Sequence, residues 1–131
     1  MNCLFCNLTE ENINKIFLKK IFETEHFIFV RLKKDFRIID PHCLLISKKC
    51  FREETSMNKK IWEDYYVASK KAYQYMFKQT KRECMIFINP PQMQSVPHFH
   101  RHFVDGVFGI HGVANALSEY AKKIDSKVIN F

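Results

Sequence analysis

The sequence lacks any long hydrophobic run. Its 131 residues are 47% hydrophobic and 27% charged, but no apolar stretch approaches the ~20 residues that a membrane-spanning helix needs. Polar residues between Asn2 and Glu11 also interrupt the chain before the apolar core of a signal peptide could form. Internal repeats, low-complexity tracts and linkers are missing as well. We therefore expect one globular domain over residues 1–131, without membrane association and located in the cytoplasm or the nucleus.

The number of cysteines argues against a disulfide framework. The sequence has five, an odd number, at Cys3, Cys6, Cys43, Cys50 and Cys84. Without a secretory signal, cysteines are expected to be reduced thiols or metal ligands rather than disulfide partners. Cys43 and Cys84 are expected to be thiols of the core.

Acidic residues are few relative to basic ones. There are 14 Asp and Glu against 21 Lys and Arg, which gives a net charge of +7. This excess favours an anionic partner, such as a nucleotide, a nucleic acid or an acidic surface. The chain also has only three glycines and is rich in Lys, Phe, Asn and Ile, a bias that accounts for the charge without any such partner. Charge alone therefore does not choose among partners.

Neither glycine nor proline occurs between Met57 and Thr80. Apolar residues recur in this stretch at helical spacing, at Ile61, Tyr65, Ala68, Ala72, Tyr75 and Met76. The spacing predicts one long amphipathic helix.

Shorter elements are predicted on both sides of this helix. Aromatic and β-branched runs predict strands, and the apolar stretches within residues 20–32 predict a β-hairpin. The predicted elements are a short helix or turn within residues 9–19, strands at Phe27–Val30, Cys43–Ser47, Met85–Ile88 and 96–104, and a closing helix at Val113–Ile124. This order predicts an α+β fold.

Three histidines alternate along the last predicted strand. His98, His100 and His102 would lie on one face of it, with Phe99 and Phe103 on the other. A neutral imidazole is a nucleophile toward phosphorus, and neighbouring imidazoles lower its pKa by like-charge repulsion and supply a proton to a leaving group. A polar outer face or a shared metal site explains the same spacing. The spacing alone leaves these three interpretations open.

The segment His98–Val104 resembles the signature of the histidine triad family, His-φ-His-φ-His-φ-φ with φ apolar, at every position except Arg101. Three further segments match the family in order, at Cys3–Cys6, at Pro41–Cys50, and at Asn89 with Gln94–Val96. These matches are independent and correctly spaced around the predicted helix, so the resemblance is specific. It implies a histidine triad fold, with an antiparallel sheet of about five strands, one long helix and a C-terminal helix.

The resemblance also implies a nucleotide-binding hydrolase or nucleotidyl transferase. In the family the middle histidine, here His100, attacks the α-phosphate to give a nucleotidyl-histidine intermediate that water hydrolyses. The third histidine and a serine before the triad contact phosphate oxygens, and a histidine on an earlier strand orients the attack. The site residues that this implies are His42, His98, His100 and His102 for catalysis, and Asn89, Gln94 and Ser95 for substrate binding, with Asn89 and Ser95 at the phosphate.

The implied substrates are nucleoside phosphoramidates or related small purine nucleotides, such as dinucleoside polyphosphates. The implied assembly is a homodimer formed through the long helix and a neighbouring strand.

Bacterial-type members of the family carry a structural zinc. The corresponding ligands here are Cys3, Cys6, Cys50 and His98, where the thiolate of Cys50 replaces the imidazole usual at that position. A set of three cysteines and one histidine is an accepted tetrahedral zinc site. The alternative is that the four residues bind no metal.

Besides Arg101, the sequence departs from the family in two further places. Members hold the ribose hydroxyls with an acid where this chain has Arg31, so Asp35 is the candidate substitute. Arg31 and its basic neighbours are candidates for contacts with additional phosphates, or they belong to an ordinary solvated loop. The loop Asn89–His98 has prolines where the family has glycines, which removes backbone donors for phosphate.

Two other functions remain open. An aprataxin-like enzyme would remove adenylate from nucleic-acid ends, which the net charge favours and the lack of an appended zinc finger disfavours. A degenerate triad protein would bind nucleotides or partners without turnover. Arg31, Arg101 and the missing glycines favour that second alternative.

Overall fold

The computed structural model describes residues 3–8, 13–15, 17–33, 40–106 and 119. Within these ranges, five strands form one antiparallel sheet in the order β1-β2-β3-β5-β4. The strands are β1 (Phe17–Glu23), β2 (Phe27–Leu32), β3 (His42–Ser47), β4 (Cys84–Phe87) and β5 (His100–Asp105). A long helix packs on one face of this sheet, which confirms the predicted α+β fold.

The long helix is α1 (Lys59–Thr80). It begins after Asn58, whose side-chain oxygen accepts a hydrogen bond from the backbone N–H of Ile61 (2.9 Å). It ends at Lys81, which has a left-handed backbone conformation and donates to the carbonyl of Phe77 (2.7 Å). The buried face of α1 consists of Ile61, Tyr65, Ala68, Ala72 and Met76. Neither α1 nor any other helix in the described ranges is long and apolar enough to cross a bilayer.

The two faces of the sheet bury different side chains, because neighbouring residues on a strand point to opposite sides. On the helix face, α1 packs against Phe27, Phe29, Cys43, Leu45, Phe99 and Phe103. The opposite face buries Val30, Leu32, Leu44 and Ile46, together with Phe5 and Ile13 from the N-terminal segment. We call this second face the histidine face, because the alternation along β3 and β5 places His42, His100 and His102 on it.

The prediction of a short helix or turn within residues 9–19 is wrong for residues 17–19, which belong to β1. Phe17 pairs with Leu32 and Lys19 with Arg31, so pairing with β2 outweighs the local helical pattern. Residues 13–15 are helical, and the other residues of 9–16 lie outside the described ranges. The predicted hairpin within residues 20–32 is confirmed.

The strand that carries the histidines begins at His100 and not at residue 96 as predicted. Pro97 has no N–H to donate to a neighbouring strand, and the N–H of His98 bonds to the carbonyl of Val96 in a tight turn (2.8 Å). His98 therefore precedes β5, and the alternation of side chains along that strand does not determine the direction of its imidazole. The predicted closing helix Val113–Ile124 lies outside the described residues, apart from Glu119.

Candidate active site and metal site

Three histidines lie together on the histidine face. His42 opens β3, and His100 and His102 lie on the adjacent strand β5. The ring centroids of His100 and His102 are 5.0 Å apart, and those of His42 and His102 are 5.2 Å apart. Pairing of the two strands thus brings together three of the four residues expected to be catalytic.

The hydrogen bond of His100 fixes its tautomer. Its Nδ1 lies 2.7 Å from the backbone carbonyl oxygen of His98. Since a carbonyl oxygen only accepts, Nδ1 carries the hydrogen and Nε2 keeps its lone pair. Burial lowers the pKa of His100, although the bond to His98 opposes this shift. The arrangement therefore favours a neutral imidazole with a nucleophilic Nε2.

His42 and His102 are joined by a hydrogen bond between His42 Nε2 and His102 Nδ1 (2.9 Å). Burial, reinforced by repulsion from His100, lowers the pKa of His42 to about 4. Burial also lowers the pKa of His102, reinforced by repulsion from the neighbouring imidazoles. His102 Nε2 is buried and has no hydrogen-bond partner among the described residues. An unpaired buried nitrogen of this kind is costly unless a ligand or water bonds to it.

Two phenylalanines that the sequence analysis did not single out contact the imidazoles. Phe87 on β4 stacks on His102, with centroids 4.3 Å apart and planes 5° from parallel. Phe5 is nearly perpendicular to His100, with centroids 5.2 Å apart. The register of β4 against β5 brings Phe87 opposite His102. In the sequence, only its position between two candidate metal ligands, Cys3 and Cys6, indicates that Phe5 lies near the site.

The four predicted metal ligands also meet. The ligand atoms of Cys3, Cys6, Cys50 and His98 all lie within 4.8 Å of one another. His98 Nδ1 is 3.3 Å from the sulfur of Cys3 and 3.5 Å from that of Cys6. His98 Nε2 donates to the carbonyl oxygen of Ser47 (2.6 Å), so Nδ1 is left to face the sulfurs. A hydrogen bond to the other ring nitrogen is how metal-binding histidines are usually oriented.

The residues predicted to bind phosphate lie on the connection between β4 and β5. Ser95 is exposed and Asn89 is partly buried. The Gln94 side chain is occupied by Arg52: its oxygen accepts from Arg52 Nε (3.1 Å), and its nitrogen donates to the Arg52 carbonyl (2.9 Å). Arg52 also donates to the carbonyl of Pro91. Gln94 therefore links the connection between β4 and β5 to Arg52 and stabilises it.

Arg31 does not join the histidines. It lies on the helix face, since it alternates with Val30 and Leu32 of the histidine face. Its guanidinium forms an ion pair with Asp40 (3.0 Å) and donates to the hydroxyl of Tyr75 (3.2 Å). Arg31 is thus on the opposite face of the sheet from the histidine cluster, and its guanidinium is paired with Asp40 and Tyr75. Asp35, the candidate substitute, lies outside the described residues.

Arg101, the departure from the family signature, also points to the helix face. Its Nη1 donates to Ser69 Oγ (3.0 Å). Its guanidinium carbon lies 5.3 Å from the ring centroid of Tyr65 and 5.6 Å from that of Phe103, within range of a cation–π contact. The charge of Arg101 thus lies on the helix face of the sheet, opposite the imidazoles.

Neither a family model nor a curated protein matches the sequence. Solved structures do match. A member of the HIT family of proteins from Bacillus subtilis is 21% identical, with 96% of this chain and 99% of that chain covered and a TM-score of 0.65. A Hit-like protein involved in cell-cycle regulation from Bartonella henselae, solved with an unknown ligand, is 24% identical, with 94% of each chain covered and a TM-score of 0.63.

A Zn-bound histidine triad family protein from Mycobacterium smegmatis is also similar. It is 20% identical, with 69% of this chain and 66% of that chain covered and a TM-score of 0.54. At these identities the similarity establishes the fold. The chain therefore has the histidine triad fold, as the resemblance of its motifs predicts.

Because these imidazoles are buried, we expect acid to destabilise the protein. His42 and His102 stay neutral in the folded state but protonate near pH 6.5 when unfolded, so the free energy of unfolding falls as pH decreases from about 7 toward the folded pKa values. Each such histidine adds a slope of up to about 1.4 kcal/mol per pH unit. Denaturant unfolding at pH 7, 6 and 5 should give a smaller slope for His102→Asn than for the wild type. Equal slopes would contradict the buried, neutral state of His102.

Proposed function

We propose that this chain is a histidine triad enzyme that cleaves nucleotides at the α-phosphate through a covalent nucleotidyl-histidine intermediate on His100. The proposed substrates are nucleoside phosphoramidates or related small purine nucleotides. The observation that carries the proposal is the hydrogen bond from His100 Nδ1 to the carbonyl of His98 (2.7 Å). It leaves Nε2 with a lone pair beside two further imidazoles.

In the proposed first step, His100 Nε2 attacks phosphorus, so that a P–Nε2 bond forms as the bond to the leaving amine breaks. The amine takes up one proton from the solvent as it departs. In the second step, water attacks phosphorus, the P–Nε2 bond breaks, a nucleoside monophosphate is released, and the proton lost by the attacking water returns to the solvent. Positioning of the reacting atoms and hydrogen-bond donors aimed at the phosphate oxygens supply most of the rate in such transfers.

The proposed role of His102 follows from its unpaired nitrogen. If His42 Nε2 donates the hydrogen in their 2.9 Å bond, His102 Nε2 carries a hydrogen of its own. It can then donate a hydrogen bond to a phosphate oxygen. His42 is a positioning residue in this scheme. Asn89 and Ser95 are proposed to contact the phosphate, and Gln94 to support them through Arg52.

The experiment compares hydrolysis of adenosine phosphoramidate by the wild type and His100→Asn. We expect kcat to fall by about four orders of magnitude or more, because the attacking nitrogen is removed. Wild type quenched with denaturant at alkaline pH, where a P–N bond is more stable than in acid, should carry an adenylate mass that the variant lacks. His26→Asn, outside the histidine cluster, is the control and should retain turnover. If the wild type binds AMP but does not turn over, the chain is instead a nucleotide-binding protein without catalysis.

We propose also that Cys3, Cys6, Cys50 and His98 hold a structural zinc ion. The donor set is one that zinc prefers, and the bond from His98 Nε2 to the Ser47 carbonyl leaves Nδ1 directed at the sulfurs. Bound zinc would cross-link three segments of the chain that are distant in sequence. It takes no part in the steps proposed above.

Elemental analysis should find about one zinc per chain in the wild type and none in Cys50→Ser. Loss of the metal should also lower the melting temperature, because binding free energy at such a site contributes to folding. Cys84→Ser, whose thiol lies outside the cluster, is the matched control and should retain the metal. Metal-free wild type that is as stable as the zinc-loaded protein would rule out a structural ion.

A homodimer is part of the proposal. Large apolar side chains are exposed on α1 at Trp62, Tyr66 and Phe77, with Tyr66 69% exposed, and Met85 is exposed on β4. In the described sheet β4 is an edge strand. An apolar helix surface beside an unpaired strand edge is suited to a second copy of the chain.

Sedimentation velocity should show a particle of twice the mass of one chain. Tyr66→Glu should shift it toward the monomer, because a charge would be buried at the proposed interface. Lys19→Gln, on β1 at the opposite edge of the described sheet, should leave the mass unchanged. A wild type that remains monomeric at high concentration would refute the homodimer.

A further inference from the structure

Phe5 lies between two of the metal-site cysteines. Cys3 precedes a short 3-10 turn, Leu4–Asn7, that contains Cys6, and the N–H of Cys6 bonds to the carbonyl of Cys3 (3.2 Å). The two residues between the cysteines differ in direction: Leu4 is 46% exposed, whereas Phe5 is 6% exposed. The turn therefore directs one side chain outward and the other into the histidine face.

The ring of Phe5 contacts two imidazoles. Its centroid is 6.0 Å from that of His98 and 5.2 Å from that of His100, with interplanar angles of 84° and 86°. Edge-to-face contacts of this kind are favourable and restrict how either ring can rotate. Since Phe5 is buried, it also keeps water from this side of His100.

His98 provides a second connection between the metal site and His100. Its side chain faces the sulfurs of Cys3 and Cys6, and its backbone carbonyl accepts the hydrogen bond from His100 Nδ1. Two links therefore run from the cysteine cluster to the proposed nucleophile. One is the ring of Phe5, and the other is the carbonyl of His98.

A turn of four residues has little stability of its own. Its pair of cysteines meets Cys50 and His98 from other parts of the chain. A metal ion that binds all four would hold the turn, and with it the ring of Phe5, in one position. Without the ion, the packing of Phe5 and Ile13 in the apolar cluster is what keeps the segment on the sheet.

We propose that Phe5 is a positioning residue that transmits occupancy of the Cys3–Cys6–Cys50–His98 site to His100. Metal binding presses the ring against the imidazole and keeps His100 Nδ1 on the carbonyl of His98. Loss of the metal releases the ring, and His100 then rotates and exchanges between tautomers. This inference rests on the proposed function for its effect on turnover, but its structural part can be tested without any activity.

The primary measurement is the imidazole ¹H–¹⁵N spectrum of ¹⁵N-histidine-labelled protein. Metal-depleted wild type should give exchange-averaged His100 signals, and one equivalent of zinc should convert them to those of a single tautomer with the hydrogen on Nδ1. In Phe5→Ala, zinc should bind but the exchange should persist. Leu4→Ala changes the outward residue of the same turn and should behave like the wild type.

Turnover of adenosine phosphoramidate is the second measurement. In zinc-loaded Phe5→Ala, kcat should fall by as much as about 100-fold, since a misplacement of about 1 Å is sufficient for such a loss, while zinc content stays at one per chain. Phe5→Leu keeps much of the apolar volume without the ring and should show the same loss if the alanine variant does not fold. Leu4→Ala should stay within about twofold of the wild type.

Two results would overturn the inference. A zinc-loaded Phe5→Ala with the wild-type His100 spectrum would show that the ring does not position the imidazole. Loss of zinc from both Phe5 variants would show that the ring supports the metal turn, and not the reverse. If the wild type has no turnover, the proposed function fails, and the imidazole spectrum still decides the role of Phe5.

Discussion

The hydrogen bond from His98 Nε2 to the carbonyl of Ser47 (2.6 Å) is the interaction on which the rest of the site depends. It anchors the imidazole to the end of β3 and turns Nδ1 toward the cysteines. Because His98 is held there, ahead of β5 and outside its alternation, its own carbonyl faces His100. One residue thus joins a sulfur-rich cluster, a central strand and the proposed nucleophile. Replacing this imidazole would disturb all three at once.

Patterns along single segments predicted most of the fold. Two elements are predicted to within two residues of their observed ends. They are α1, predicted from a stretch without glycine or proline, and β3, predicted from an apolar run. The motifs also predicted which side chains meet, because His42, His100 and His102 share a face and Cys50 joins Cys3, Cys6 and His98. These features depend on periodicity and on residue type, both of which a sequence displays directly.

The features that were missed depend on contacts between distant segments. Alternation along β2 puts Arg31 on the same side as Phe27 and Phe29, but only the pairing of β2 with β3 decides that this side faces α1. The stack of Phe87 on His102 requires the register of β4 against β5. The reciprocal bonds of Gln94 and Arg52 join residues 42 positions apart. A motif names a residue, but tertiary packing decides what its side chain can reach.

The position of Arg101 has a consequence for how the triad signature is understood. The residue between the second and third histidines points at the helix and not at the histidine face. The helix therefore determines which side chain fits at that position. In this chain α1 presents a hydroxyl at Ser69 and an aromatic face at Tyr65, and a guanidinium is accommodated between them. In this chain the residue at that position is therefore matched to α1 and lies away from the histidines. Searches that demand a hydrophobic residue at this position would pass over chains in which helix and strand changed together.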